Sequence, residues 1–228
     1  FSFYLKGQNN DVKANDHLPN YYQHRLNFGF LIGFNRANFV VNPSPNFDRF
    51  DSLKSIKCVP QPGFNLGIIC DYALFKYITI RATPNIAFCS RALDYEIEGS
   101  RSFTYQKKIE STFLNFPVDL KLRSKRVKNF GAYVIGGGTY SLDLASKKSL
   151  NSEISPDLGK QIVKIKRDDF SYSAGVGTEF YLLYFKFAIE LKMSMGLQNM
   201  LIKENTIFAK SINSLNSKIF LISFTFEG

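Results

Sequence analysis

The sequence predicts an all-β chain: an eight-stranded, antiparallel, up-and-down transmembrane β-barrel, with short turns at one end and long loops at the other. Three observations predict it. Apolar residues alternate with small or polar ones at period two in eight separate stretches. The connections between those stretches are alternately long and short. The apolar set is also very bulky, in a chain with 23 Phe, 12 Tyr and no Trp. An eight-stranded barrel is only just wide enough for side chains to fill it. Those rings therefore belong outside, which argues against a soluble barrel with an apolar interior.

The first strand, 26–41, sets Phe28, Phe30, Ile32 and Phe34 against Asn27, Gly29, Gly33 and Asn35. The second, 61–73, sets Phe64, Leu66, Ile68, Cys70 and Tyr72 against Gly63, Asn65, Gly67 and Asp71. The third, 78–91, opposes Ile78, Ile80, Ala82, Ile86 and Phe88 to Thr79, Arg81, Thr83 and Asn85. The fourth, 110–122, opposes Leu114, Phe116, Val118, Leu120 and Leu122 to Asn115, Asp119, Lys121 and Arg123. The fifth, 130–144, is glycine-rich at Gly136, Gly137 and Gly138. With no Lys-Ser/Thr after it and no helical pattern, that run marks a bend, a bulge or close lumen packing rather than a phosphate cradle.

The sixth strand, 169–181, places Phe170, Tyr172, Ala174, Val176, Thr178 and Phe180 opposite Ser171, Ser173, Gly175, Gly177 and Glu179. The seventh, 185–198, is the clearest: Phe185, Phe187, Ile189, Leu191, Met193, Met195 and Leu197 against Lys186, Ala188, Glu190, Lys192, Ser194, Gly196 and Gln198. A period of 3.6 would smear those two sets around a cylinder. The eighth, 218–227, sets Phe220, Ile222, Phe224 and Phe226 against Leu221, Ser223, Thr225 and Glu227. Each stretch reaches the ~9–11 residues that a tilted membrane-spanning strand needs. Rings near strand ends, Phe170, Phe180, Tyr181, Tyr184 and Phe185, suit interfacial girdles.

The long connections are 42–60, 92–109, 145–168 and 199–217; the short ones are 74–77, 123–129 and 182–184. An even strand count puts both termini on the short-turn side, read as periplasmic, with the long loops extracellular. Residues 1–25, polar at Asn9, Asn10 and Asp11, read as an N-terminal periplasmic segment, and 26–228 as the barrel. The chain opens at Phe1 rather than Met and reads as mature or trimmed. No apolar run of about 18 residues is present, so no transmembrane helix is expected.

The 228 residues carry 29 Lys and Arg against 19 Asp and Glu, a formal charge of +10 that suits anionic surroundings. Three Cys exclude a full disulfide framework. Cys58, Cys70 and Cys89 are expected as thiols, since a Cys58–Cys89 bridge is poorly phased across the strands. The lumen parity collects Asp71, Asp119, Asp143, Glu179 and Glu190 against Arg81, Lys121, Lys186 and Lys192. Buried charges must pair, so these nine are expected to form a lumen charge network that fills the barrel without chemistry. A filled lumen speaks against a pore.

From Glu110 to Lys148 the chain reads ESTFLNFPVDLKLRSKRVKNFGAYVIGGGTYSLDLASKK. This resembles the PorT family of Bacteroidota outer-membrane proteins, associated with type IX secretion and, in gliding species, motility. The stretches from Asp168 to Leu201 and from Ile212 agree, as do LNFGFLIGFN from Leu26 and PGFNLGI from Pro62. The most specific blocks are Phe116-Pro117, Arg123-Ser124-Lys125-Arg126 with Asn129-Phe130, and Phe180-Tyr181 through Phe185-Lys186-Phe187. The third strand departs from the family, with Asn85 after Pro84 where a Gly is usual, and with a Cys at 89. The resemblance implies an eight-stranded outer-membrane barrel needed for secreting proteins that bear a C-terminal signal. It implies no catalytic residue.

His17 and His24 precede the first strand without placed partners, so they read as solvated or interfacial rather than as the base of a lipid A-modifying enzyme. Metal binding needs three or four converging ligands, and none are placed. Arg123, Lys125, Arg126 and Lys128 form the densest charge block. No base-stacking module accompanies them, so nucleic acid is not expected. They read as a solvated turn near lipid head groups, or as a periplasmic docking turn for an acidic partner.

The function expected is therefore a non-enzymatic outer-membrane accessory or assembly component of type IX secretion, and of gliding motility where present. Its partners would be outer-membrane lipid, lipopolysaccharide and other secretion proteins, with no cofactor and no small-molecule substrate. The alternative is a small structural or adhesive barrel whose loops 145–168 and 199–217 contact external surfaces.

Overall fold

In the computed structural model, residues 17–18, 21, 24–43, 53–97, 103–144, 166–201 and 212–228 are described. Among them run nine strands: β1 (Leu26–Pro43), β2 (Leu53–Phe75), β3 (Ile78–Ala82), β4 (Asn85–Ile97), β5 (Phe103–Arg123), β6 (Phe130–Asp143), β7 (Asp168–Tyr181), β8 (Lys186–Gly196) and β9 (Ile212–Glu227). All pairings are antiparallel; β3 and β4 each pair with β2 and β5, every other strand pairs with its neighbours along the chain, and β1 pairs with both β2 and β9. The sheet is therefore closed.

β3 and β4 are two parts of one stave. Their register with β5 is continuous, Ile78 facing Leu122 and Asn85 facing Asn115. The gap falls at Thr83 and Pro84, where proline has no N–H to donate. Its carbonyl still accepts from Ile68 N at 3.0 Å. Counted in staves, the ring is the eight-stranded, up-and-down barrel that the alternation predicts.

The barrel is inside-out relative to a soluble protein. Phe34 is 60% exposed, Ile68 62% and Val118 58%, whereas Arg81, Lys186 and Glu227 are each 1% exposed and Lys121 is 0%. Aromatic pairs stand on the outer wall across neighbouring strands, Phe30 on Phe226 at 4.8 Å and Phe64 on Phe88 at 4.6 Å. Cross-strand stacking of this kind is the unit of sheet stabilisation.

The expected long connections at 42–60 and 92–109 are partly strand. β2 begins at Leu53, β4 runs to Ile97 and β5 begins at Phe103; β9 likewise starts at Ile212 rather than 218. The ladder continues above the apolar band. On β9 the outward positions beyond Phe220 are Lys218, Asn216 and Ser214, so the apolar alternation stops while backbone pairing with β1 goes on. At the opposite end the turns are tight, as at Lys76–Tyr77 and Leu182–Phe185.

Candidate functional site

Period-two alternation aims every second side chain of each stave into the lumen. Near the short-turn end these side chains form one ionic cluster. Arg81 on β3 lies opposite Asp71 on β2 and Asp119 on β5. Its Nε and Nη2 donate to the two Asp71 oxygens at 2.7 Å each, a bidentate fork. Nη2 also reaches Glu227 on β9 at 2.7 Å, and Nη1 reaches Glu190 on β8 at 3.4 Å. Lys121 donates to Glu179 on β7 at 2.5 Å and lies 3.9 Å from Asp71. Lys186 bridges Glu227 at 2.6 Å and Glu179 at 3.3 Å. Lys192 bridges Asp119 at 2.6 Å and Glu190 at 3.3 Å.

Tyrosines complete the shell. Tyr133 on β6 donates to Glu190 at 2.8 Å, and its ring carries Lys121 Nζ at 4.0 Å from the centroid. Tyr181 donates to Glu179 at 2.8 Å. Glycines make the room. A Cβ on Gly177 would meet the Tyr133 ring, and one on Gly29 would meet Glu227 Cγ at 2.8 Å. Gly137 sits against the Val118 carbonyl and Asp119, so the middle of the glycine run serves close lumen packing.

The structure thus brings together Asp71, Arg81, Asp119, Lys121, Glu179, Lys186, Glu190 and Lys192. It does not bring Asp143 to them. Asp143 is buried near the other end of β6, opposite Phe113, six residues beyond the Gly137 that faces Asp119. Glu227, Tyr21 and Tyr133 belong to the cluster and were missed, and Tyr181, expected in the interfacial girdle, is instead buried with them. Glu227 was legible, since it continues the lumen parity of Ser223 and Thr225. Each of the five carboxylates is committed to at least one cation, so none of them is buried without a counter-charge.

Above it lies an amide belt across four staves. Asn35 donates to Asn65 at 2.6 Å, Asn65 to Asn85 at 3.1 Å and Asn115 to Asn85 at 3.0 Å. The cavity there measures about 60 Å³, room for a few waters. Ala37, Ala87, Cys89 and Phe113, backed by Ile219, close the lumen beyond. No disulfide joins Cys58, Cys70 and Cys89.

Tyr21 and His17, described residues of the leading segment, are seated in the short-turn mouth. Tyr21 is buried, donates to Glu227 at 3.1 Å, packs edge-on to Tyr181, and lies under Lys186 Nζ at 4.5 Å. Burial, and then the Glu227 charge, raise the Tyr21 phenol above its ordinary value. His17 Nδ1 donates to the Tyr181 carbonyl at 3.0 Å, which fixes the proton on that nitrogen. His17 is therefore a seated mouth residue. His24 offers its backbone carbonyl to Asn27 at 3.4 Å.

The basic turn is divided by these contacts. Arg126 donates to the carbonyls of His17 and Leu18 and to Asn129, and its guanidinium stacks 3.9 Å from the Tyr181 ring. Arg123 is buried and donates to the Lys76 carbonyl at 3.0 Å. Lys125 and Lys128 project into solvent, with Lys128 at φ 56° shaping the turn. Of the four residues expected as a solvated turn or a docking patch, Arg123 and Arg126 are taken up by contacts within the molecule.

A closed sheet with rings outward and charges inward is a transmembrane β-barrel. The family described as outer membrane protein beta-barrel domain matches residues 7–201, and the chain belongs to it. It is an outer-membrane protein. No curated protein matches it. Similar solved structures include Neisserial surface protein A, with 8% identity, 87% of this chain and 95% of that one covered, and a TM-score of 0.41. Ail, the attachment invasion locus protein of Yersinia pestis, is 12% identical over 90% of this chain and 100% of its own, at TM-score 0.37. The outer membrane protein OprG from Pseudomonas aeruginosa is 13% identical over 90% and 97%, at TM-score 0.39.

Proposed function

We propose that this chain is a non-enzymatic accessory or assembly component of type IX protein secretion in a Bacteroidota outer membrane, and of gliding motility where that is present. The secretion role rests on the PorT-like stretches, above all Glu110–Lys148. The accessory role, rather than that of a conduit, rests on the lumen, where nine charged side chains from six strands interlock. A translocating protein segment would have to break all of those pairs.

The barrel anchors and positions partners, with its termini and short turns on the periplasmic side. Lys125 and Lys128 are the charges of the basic turn left to meet an acidic partner. Arg123 and Arg126 hold the turn in shape.

A deletion strain complemented with this chain tests the reading. Loss of C-terminal-signal cargo from the medium, restored on complementation, is expected. Normal secretion in the deletion strain would remove the secretion role and leave a structural or adhesive barrel. Neutralising Lys125 and Lys128 is expected to weaken recovery of periplasmic partners, and unchanged recovery would remove the docking turn.

A further inference from the structure

We infer that the outer wall at the β1–β9 seam holds a binding site for the phosphate groups of an outer-leaflet glycolipid, built from Arg36 and Lys218. Among the described side chains of the strands, these are the two Lys or Arg residues whose parity points outward. Every other one, from Arg81 to Lys192, faces the lumen. They sit on adjacent staves. Arg36 is opposite Phe220, and Lys218 is opposite Asn38, so the two are diagonal neighbours. Diagonal positions on one sheet face are about 7–8 Å apart at Cα. Two long side chains at that separation can converge on one phosphate.

Their height is equally specific. The outward apolar run of β1 is Leu26, Phe28, Phe30, Ile32 and Phe34, which rises about 20 Å along a tilted strand. Arg36 is the next outward residue. On β9 the run Phe226, Phe224, Ile222, Phe220 ends at Lys218 in the same way. Both cations therefore stand at the rim of the band, where lipid head groups begin. Arg36 is exposed and meets no carboxylate among the described residues, and Lys218 Nζ lies 5.2 Å over the Phe220 ring. Above them the outward residues are Asn38, Asn216, Asn42 and Ser214, interrupted by Val40; the amides and hydroxyl suit a sugar. Asn42 donates to Ser214 at 2.7 Å, a polar link across the seam. Two cations with no carboxylate partner among the described residues, under amides and a hydroxyl at the edge of a ring-rich band, match a phosphorylated glycolipid: acyl chains on the rings, phosphate on the cations, sugar on the amides.

The inference rests on the orientation proposed above, with the long connections outward, and not on the secretion role. The test titrates the folded full chain in detergent micelles with bis-phosphorylated lipid A by native mass spectrometry. Lipid A stripped of phosphate and phosphatidylglycerol serve as the comparison lipids. Arg36→Gln and Lys218→Gln are each expected to weaken lipid A binding about fivefold, and the pair about twenty-five-fold. Lys76→Gln, at the opposite end, is the equal-charge control and should change nothing, while heat-modifiable gel mobility reports folding. Wild-type affinity in the folded double variant would overturn the site. So would equal binding of dephosphorylated lipid A, or of phosphatidylglycerol. Labelling of Asn42→Cys from outside intact cells tests the orientation separately.

Discussion

Replacing Arg81 with Met strikes the ionic cluster at its centre. The guanidinium makes four contacts with three buried carboxylates, three of them at 2.7 Å. The loss is uneven. Glu227 keeps Lys186 at 2.6 Å, and Glu190 keeps Tyr133 at 2.8 Å and Lys192 at 3.3 Å. Asp71 keeps Lys121 at 3.9 Å, beyond hydrogen-bond reach. One carboxylate is thus left buried without a hydrogen-bonded counter-ion. Breaking a buried pair in this way destabilises by about 3–5 kcal/mol. Asp71→Asn in the Arg81→Met background removes the stranded charge and should recover about 2 kcal/mol of that loss, a coupling within the usual range for neighbours. Urea unfolding in lipid vesicles, read by the heat-modifiable gel shift, measures all four members of the cycle. Stability of Arg81→Met within about 0.5 kcal/mol of the parent would refute the reasoning, because it would mean that water solvates Asp71 and the lumen is open at that level.

Gly177→Val should drive the Tyr133 ring off Glu190 and destabilise by about 1–3 kcal/mol in the same unfolding assay. Asn65→Leu removes the shared amide between Asn35 and Asn85 and should cost about 1–3 kcal/mol, leaving the ionic cluster intact. The phenol of Tyr21 is held neutral by burial, so its contribution is complete below the unfolded value of about 10 and is lost as pH rises beyond it. Alkaline unfolding should therefore begin above about pH 10, and Tyr21→Phe, followed by circular dichroism, should be less sensitive there. Arg126→Ala should release the leading segment, seen as faster tryptic cleavage after Arg25 in the folded barrel.

Much of this architecture could be read from periodicity, because in a barrel one face of each strand meets lipid and the other meets side chains from across the lumen. Phe28 to Phe34 and Phe185 to Leu197 declare their faces for that reason. The strand tops were harder. Where β9 rises above the band, its outward positions turn polar at Lys218, Asn216 and Ser214 while Leu215 and Ile212 are buried, so the apolar-outward alternation is lost. The charge cluster was legible as parity. Asp143 shares that parity but stands too far along β6 to join, and height in the lumen depends on stagger between strands, which period two does not encode. Tyr21 and Arg126 were hidden for a different reason. Their contacts join a polar segment to a turn more than a hundred residues away, and no local pattern marks such a meeting.

The claim on which the rest depends is that the lumen is filled and closed. Planar lipid bilayers with the purified full chain inserted test it directly. The expected record is a flat baseline at moderate voltage, with no stable stepwise openings, because the ionic cluster, the amide belt and Tyr21 occupy the path. Reproducible ohmic steps from the folded, unmutated chain would contradict it and return the barrel to the class of conduits.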